Sequence, residues 1–492
     1  MAEMFIGGRP AAFPMLERLP VVNPADGTVI DTVPLAGPEE VVAAAQAAYD
    51  AFPAWWATPA GKRGEILAHA AAAILAQADE LAPLLTAEQG KPVREARLEI
   101  RRCAETLEHY AGLAKNIRGG YVPDLAAGAY GLITKRPLGV VAAIVPWNFP
   151  TTLLANKLGP GLVTGNTFVA KPAETTPLTT LRLAAIMHEA GLPAGVVNVV
   201  TGLGPDVGTA LVDHPLVRKV AFTGSTPTGK GIMARAAATL KRSTLELGGS
   251  DPMIVCDDAE IDAAVSAASV GRFFNCGQAC LAIKRLYLFA NIAEQFVDKL
   301  VGKVDRLVVG PGTRPGVTLG PVHSARQLQV LEAQVADAVA SGATALRGAR
   351  RPLGDGLGDG YFYEPTLLLE PAHTSRVATE EVFGPVLPIW RVRDLDEAIR
   401  LANSSPFGLG SSCWTRDLGR ANEAIARLEA GYTWINAAPI VYDELPFGGW
   451  KQSGYGKEHG VEALDYYMES KAVVVKSVPV AQGAMGTVGN AY

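Results

Sequence analysis

The chain has 492 residues, and at roughly 150 residues per domain this length accommodates two or three domains with an ample core. With 49% hydrophobic and 19% charged residues it reads as a packed globular chain, which excludes a disordered one. Forty-four basic against 49 acidic side chains leave a net charge of -5 and no basic block, which argues against nucleic acid or an anionic membrane as partner.

The first third reads as helical. Val41, Ala45, Ala48, Tyr49 and Phe52 recur at helical spacing over 39–52, and the pattern continues over 61–88 and 93–115. Beyond residue 138 the texture changes to short β-branched runs at 140–145, 167–170, 196–200 and 217–222, followed in turn by helical patterns at 153–162, 177–190, 205–212 and 228–240. Strand then helix, four times over, predicts a parallel sheet covered on both faces, with ligands at the carboxyl ends of its strands. A second region opens near Leu247-Gly248-Gly249-Ser250-Asp251-Pro252, with a strand at 253–256 and a helix from Asp257 or Asp258 that places Ile261, Ala264, Val265 and Ala268 on one face. The segments 310–321 and 351–361 read as long surface loops, and 481–492 as a frayed tail. No repeat at solenoid spacing is present.

Five cysteines, at 103, 256, 276, 280 and 413, are odd in number and dispersed, which is no disulfide framework and favours a reducing compartment. The opening Met1-Ala2-Glu3-Met4-Phe5-Ile6-Gly7-Gly8 lacks the basic stretch and apolar core of a secretory signal. Apolar stretches such as 138–146 fall short of the roughly 20 residues that span a bilayer. A soluble, cytoplasmic protein is expected.

Several motifs carry chemistry. Gly224-Ser225-Thr226-Pro227-Thr228-Gly229-Lys230-Gly231 nearly spells a P-loop, but Gly231 stands where the magnesium-binding Ser or Thr belongs. What survives is a turn opening a helix, which suits either a dinucleotide pyrophosphate or simply tight strand-to-helix packing. In Phe273-Phe274-Asn275-Cys276-Gly277-Gln278-Ala279-Cys280, two thiols are too few for structural zinc, and no metal site is expected. A cysteine there is either a nucleophile or a small buried hydrophobe. Asn148, in Val145-Pro146-Trp147-Asn148-Phe149-Pro150, ends the first strand of the alternating region, where it either donates to a developing oxyanion or forms a turn. Lys171 and Glu174 end the second strand; a carboxylate there accepts both ribose hydroxyls of an adenosine and repels a 2′-phosphate, or is a plain helix-start acid. Glu246, between leucines, reads as a general base of raised pKa or a strand-end ion pair.

In their joint order these blocks resemble the aldehyde dehydrogenase superfamily, of the NAD(P)-dependent, hydrolytic, non-acylating type. The matching residues are Pro146-Trp147-Asn148-Phe149-Pro150, Lys171-Pro172-Ala173-Glu174, Phe222-Thr223-Gly224-Ser225, Glu246-Leu247-Gly248-Gly249, Gly277-Gln278-Ala279-Cys280, Glu381-Val382-Phe383-Gly384-Pro385 and Pro446-Phe447-Gly448-Gly449-Trp450-Lys451-Gln452-Ser453-Gly454. The resemblance implies an α/β fold: a Rossmann-type NAD-binding domain over 1–118 and 138–248, an α/β catalytic domain over 249–450, and a small β oligomerisation extension over 119–137 and 464–480. It implies a homodimer or homotetramer acting on a small-molecule aldehyde.

By the same resemblance Cys280 attacks the aldehyde, the Asn148 amide and the Cys280 N–H hold the oxyanion, and Glu246 activates the hydrolytic water, with Lys171 carried over beside them. Cofactor contacts fall on Val145, Pro146, Trp147, Lys171, Glu174, Gly204, Gly208, Phe222, Gly224, Ser225, Leu247, Glu381 and Phe383. The substrate pocket falls on Phe149, Leu153, Asn156, Phe274, Ala279, Leu281, the loop 437–444 and Phe447. Glu174 favours NAD over NADP, and Glu246 favours release of a free acid over an acyl-CoA. Asn156 implies a wider or more polar funnel. No arginine occurs in these pocket segments, and succinic semialdehyde stays open as a substrate. Cys276, unusual at its position, raises a reversible bond to Cys280 under oxidation.

Overall fold

The computed structural model describes residues 1–354 and 356–476. Residues 477–480 of the expected extension and the tail 481–492 lie outside the described residues.

The strands beyond residue 138 show why a parallel sheet forms there. Val140–Ile144 and Thr167–Lys171 are buried along their whole length, as strands covered on both faces must be. Alternate residues serve opposite faces: Val141, Ala143, Phe168 and Ala170 enter one core, and Val140, Ala142, Ile144 and Val169 the other. Five parallel strands make the middle of an eight-stranded sheet, in the order Val197–Val199, Thr167–Lys171, Val140–Ile144, Val217–Thr223, Arg242–Glu246. The order reverses between Val140–Ile144 and Val217–Thr223, which opens a crevice at their carboxyl ends. Met4–Ile6 and Gly454–Tyr455 add antiparallel strands on the two sides.

A seven-stranded sheet follows, with Thr344–Arg347 antiparallel at one edge and then Thr366–Leu369, Val386–Val392, Ile283–Phe289, Asp251–Val255, Gly410–Trp414 and Tyr432–Ile435, all parallel. A third, three-stranded antiparallel sheet joins Gly120–Ala126, Ala129–Pro137 and Met468–Lys476. Its last strand begins at Met468 rather than at 464, because Leu464 and Tyr467 are drawn into the core of the first sheet as part of the 3-10 turn Val461–Tyr467.

Several boundaries differ from the sequence pattern. The helical stretch 61–88 is two helices, Ala60–Ala76 and Ala78–Gln89, with Gln77 out of helical geometry between them. The helix placed at Asp257 or Asp258 begins at Ile261. Asp258 instead accepts hydrogen bonds from the backbone N–H groups of Arg416 and Asp417, each at 2.8 Å, and so caps a neighbouring turn. The segment 310–321 is only partly a surface loop: Leu319 is fully buried, and the Gly312 carbonyl accepts from Val93 N.

Candidate active site

The crevice collects the chain ends that the sheet order predicts. Pro146, Trp147 and Asn148 follow Val140–Ile144, Gly224 and Ser225 follow Val217–Thr223, and Leu247 and Gly248 follow Arg242–Glu246. Together with Leu153, Thr223, Glu246, Cys280, Gln327, Val330, Glu381 and Phe383 they line a cavity of about 260 Å³.

Cys280 reaches this cavity through an unusual turn. The helix Ile261–Phe273 stops, and Asn275, Cys276 and Gly277 follow with φ of 50°, 56° and 69°. Such backbone costs of order 1–3 kcal/mol per non-glycine residue and persists only where its surroundings hold it. Here they do. Asn275 N donates to the buried Glu95 carboxylate at 2.8 Å, and Asn275 Nδ2 donates to the Asn148 and Gln278 carbonyls at 3.0 and 3.1 Å. The buried Arg272 guanidinium donates to the carbonyls of Ile283 and Val382. Burial pushes the Cys280 thiol up to about 12; Lys284 opposes that shift, while Asp251, Glu381 and Glu246 add to it. Lys284 Nζ donates to the Cys280 carbonyl at 2.6 Å and to Glu381 Oε1 at 2.9 Å.

Asn148 is fixed from behind. Lys91 Nζ donates to its carbonyl at 2.7 Å and is ion-paired with the buried Glu99. Glu99 Oε1 accepts in turn from Thr151 N and Oγ1 at 2.9 and 2.8 Å. One N–H of the Asn148 amide goes to the Gln278 carbonyl at 3.1 Å, which leaves the other for a ligand.

Glu246 is 3% exposed, and neither carboxylate oxygen has a hydrogen-bond partner. Burial holds its pKa well above the usual carboxylate range; Glu458 raises it further, while Lys157 and Lys457 act in the opposite direction. Glu458 is itself tethered, accepting from Lys157 Nζ at 2.6 Å and from Asn156 Nδ2 at 3.3 Å, and Lys157 also donates to Thr223 Oγ1. The sequence reading passes over Lys157, Glu458, Lys91 and Glu99. Lys157 alone carries a signal, as the one charge in the apolar helical run 153–162.

On the nucleotide side, Trp147 stacks on His323 at 4.3 Å between centroids and meets Phe383 edge-on at 5.5 Å. Burial lowers the His323 pKa to about 4. Ser225 is the exposed N-cap of Thr226–Ala237, its hydroxyl facing Thr228. The flanking glycines serve packing: a Cβ on Gly224 would lie 2.5 Å from the Phe222 ring, and one on Gly229 would lie 2.4 Å from Leu247. Lys230 donates to Gln452 Oε1 at 2.9 Å, not toward a phosphate cradle. Lys171 is ion-paired with Glu174 at 3.6 Å and donates to the Pro172 carbonyl; neither Lys171 nor Glu174 lines the cavity that holds Cys280. Lys171 therefore has no contact that places it in the chemical step. Gly204 and Gly208 bound a short π-turn ahead of Thr209–Asp213, with Val145 and Phe222 buried beneath the crevice.

The expected substrate residues divide. Leu153 lines the cavity. Leu281 and Cys280 pack against a cluster of Leu409, Tyr432, Trp434 and Phe447, which Ala437 and Val441 of the loop 437–444 also join. Phe149 and Phe274 stack on each other at 6.1 Å. Ala279, half-buried beside Cys280, does not line the cavity. Asn156 is buried, donates its amide N–H to Glu458 Oε2 at 3.3 Å and leaves Oδ1 without a hydrogen-bond partner. Cys276 is buried in the core of the seven-stranded sheet, and Cys280 packs against the cluster of Leu409, Tyr432, Trp434 and Phe447; both are free thiols. Among the described residues no cluster of His, Cys, Asp and Glu could hold a metal ion, and no helix is long and apolar enough to cross a membrane.

Comparison with known proteins places this arrangement. The aldehyde dehydrogenase family matches residues 14–473. The chain is 40% identical to the 3-sulfolactaldehyde dehydrogenase of Pseudomonas putida, covering 97% of each chain. It is 40% identical to the NADP+-dependent succinate-semialdehyde dehydrogenase of Escherichia coli over 93% of this chain and 94% of that one. The crystal structures of PnpE from Pseudomonas sp. WBC-3 and of PnpE in complex with nicotinamide adenine dinucleotide each superpose with a TM-score of 0.95 at 40% identity, covering 98% of this chain and 99% of that one. The chain belongs to the aldehyde dehydrogenase family, whose members act on aldehydes.

Proposed function

We propose that the protein oxidises an aldehyde to the free carboxylic acid with NAD, through a covalent bond to Cys280. The convergence of Cys280, the Asn148 amide and the unpartnered Glu246 on one cavity carries this reading. The crevice suits a dinucleotide: the exposed Ser225 hydroxyl caps a helix N-terminus at the sheet's switch point, and Trp147 and Phe383 form an aromatic wall. NAD, when bound there, supplies the acceptor for the hydride that the aldehyde carbon loses.

Cys280 loses its thiol proton to solvent, a step that burial opposes and Lys284 favours, and the thiolate adds to the carbonyl carbon; the oxyanion so formed takes the free Asn148 N–H and the Cys280 backbone N–H. The thioester that remains after oxidation is hydrolysed by a water that Glu246 deprotonates. An ordinary carboxylate is a weak base for that step, and the raised pKa of Glu246 corrects this. Release as free acid rather than acyl-CoA follows from having this base in place. Half-exposed Glu174, beside Lys171, is positioned to accept ribose hydroxyls and to repel a 2′-phosphate, so NAD is preferred to NADP. Five free thiols suit a reducing, cytoplasmic setting. The extension built on Met468–Lys476 pairs subunits into a homodimer or homotetramer.

The test is NADH absorbance across short, long, aromatic, amino and carboxylated aldehydes, with NAD and with NADP, for wild type and Cys280→Ala. NAD reduction that vanishes in the variant is expected. A variant that keeps the wild-type rate would overturn the assignment of Cys280.

A further inference from the structure

We propose that Lys284 is a positioning residue for the nucleophile: its buried ammonium, restrained by Glu381, sets how much of Cys280 stands as thiolate, which gives Glu381 a duty beyond the nucleotide. The inference rests on the aldehyde dehydrogenase reading above, with Cys280 as nucleophile, and deepens it. Lys284 is the second residue of the strand Ile283–Phe289, which is buried along its whole length. Taking an ammonium out of water costs several kcal/mol, so its presence there calls for a reason. Arg285, the next residue, is a buried cation of another kind: its guanidinium donates to the Ser250, Leu401 and Ala402 carbonyls and so caps the end of the helix Leu395–Asn403. Successive residues of a strand face opposite ways, and Lys284 turns to the nucleophile instead. Its Nζ donates to the Cys280 carbonyl at 2.6 Å and to Glu381 Oε1 at 2.9 Å, and it lies 5.8 Å from the centre of the Phe383 ring.

The fold does not call for that charge. Glu381 is only half-buried and also accepts from Gly249 N at 3.1 Å, so water and the backbone would hold its carboxylate without Lys284. The Cys280 carbonyl needs no more than a neutral donor. What a fixed positive charge adds is electrostatic: a cation beside a thiol favours the thiolate. Cys280 needs such help. Burial holds its thiol up, Lys284 is the largest influence drawing it down, and the other titratable groups around it, Asp251, Glu381 and Glu246, are carboxylates that raise it. Burial pushes Asp251 up to about 6, below the range in which a thiol titrates, so Asp251 is ionised there. Glu381 acts on the thiol twice, once by its own charge and once by partnering the ammonium that opposes it.

The experiment follows alkylation of Cys280 by iodoacetamide across pH, in which the thiolate displaces iodide as the S–C bond forms. Intact-protein and peptide masses locate the label, and the other four cysteines are buried. Wild type is compared with Lys284→Gln and Glu381→Gln, which keep an amide donor and a carbonyl acceptor and remove one charge each. Glu246 is common to all three, so the differences report Lys284 and Glu381. The readout is the pH midpoint rather than the rate at one pH, because a thiolate of higher pKa is also the better nucleophile. Lys284→Gln is expected to raise the midpoint by about one pH unit or more, and Glu381→Gln to lower it by less, since solvent screens a half-buried carboxylate. A merely structural pair would move neither midpoint, or both in one direction. An unchanged or lowered midpoint in Lys284→Gln, or an unchanged or raised one in Glu381→Gln, would overturn the proposal; should one variant fail to fold, the other decides it. If alkylation of Cys280 leaves NAD reduction intact, it is the assignment of Cys280 as nucleophile that fails, whatever the midpoints.

Discussion

Glu99 and Glu246 are both buried near Asn148, yet their surroundings differ in kind. Glu99 sits behind Asn148 with Lys91 and Thr151 satisfying it. Glu246 faces the cavity with neither oxygen partnered and its pKa driven up by burial. A buried carboxylate that has its partners holds a structure in place. One that lacks them is costly to the fold and available to a substrate. Side by side, the pair separates a residue that positions the oxyanion donor from one that does chemistry beside it.

Removing each carboxylate in turn sharpens that contrast. Glu246→Gln is expected to lower steady-state turnover about 100- to 10,000-fold while leaving the melting temperature unchanged or higher, since no partner is lost. Glu99→Gln is expected to cost about 3 kcal/mol or more in a denaturant melt, because it strands the buried Lys91 ammonium. If instead Glu246→Gln proves the more destabilising of the two, the contrast is broken.

Titration separates them next. A base must be ionised to act, so turnover should rise with pH through the raised Glu246 pKa. Stability runs the other way: the folded chain binds a proton at Glu246 that the unfolded chain has released, so this contribution is full at acid pH and is lost as pH rises through the folded value. The stability of wild type relative to Glu246→Gln should therefore fall as pH rises above the ordinary carboxylate range and through the raised Glu246 value. A flat difference would contradict the raised pKa. The smallest expected effect is that of Cys276→Ala, since Cys276 is buried in another core. The variant and wild type should lose activity to peroxide equally and regain it equally with reductant; protection in the variant would restore the Cys276–Cys280 bond as an explanation.

What the sequence discloses and what it hides follow from the range of the forces involved. The strand-and-helix alternation beyond residue 138 is legible because the burial of strands such as Val140–Ile144 and Thr167–Lys171 is written locally as β-branched and small apolar runs. Cys280, Asn148 and Glu246 are legible because their motifs occur in a recognisable order, and the fold brings all three to one cavity. The charge pairings are not legible. Lys157 and Glu458 stand 301 residues apart, and Lys91 reaches the Asn148 carbonyl across 57. The partner of Asn156, Glu458, is remote in the same way. The hairpin of Met4–Ile6 and Arg9–Ala11 does have a local signal, the Gly7-Gly8 pair that makes its turn. At Gln77 the apolar stripe runs unbroken through the helix break, with no glycine or proline to mark it.

The most direct measurement is a single-turnover reaction of Glu246→Gln with NAD and a readily oxidised aldehyde, followed by NADH absorbance and intact-protein mass. With the nucleophile and the oxyanion donor intact and only the hydrolytic base removed, a single equivalent of NADH per subunit should appear, and the acyl group should remain on Cys280. Continued turnover at the wild-type rate, or NADH release with no acyl group on Cys280, would contradict the account.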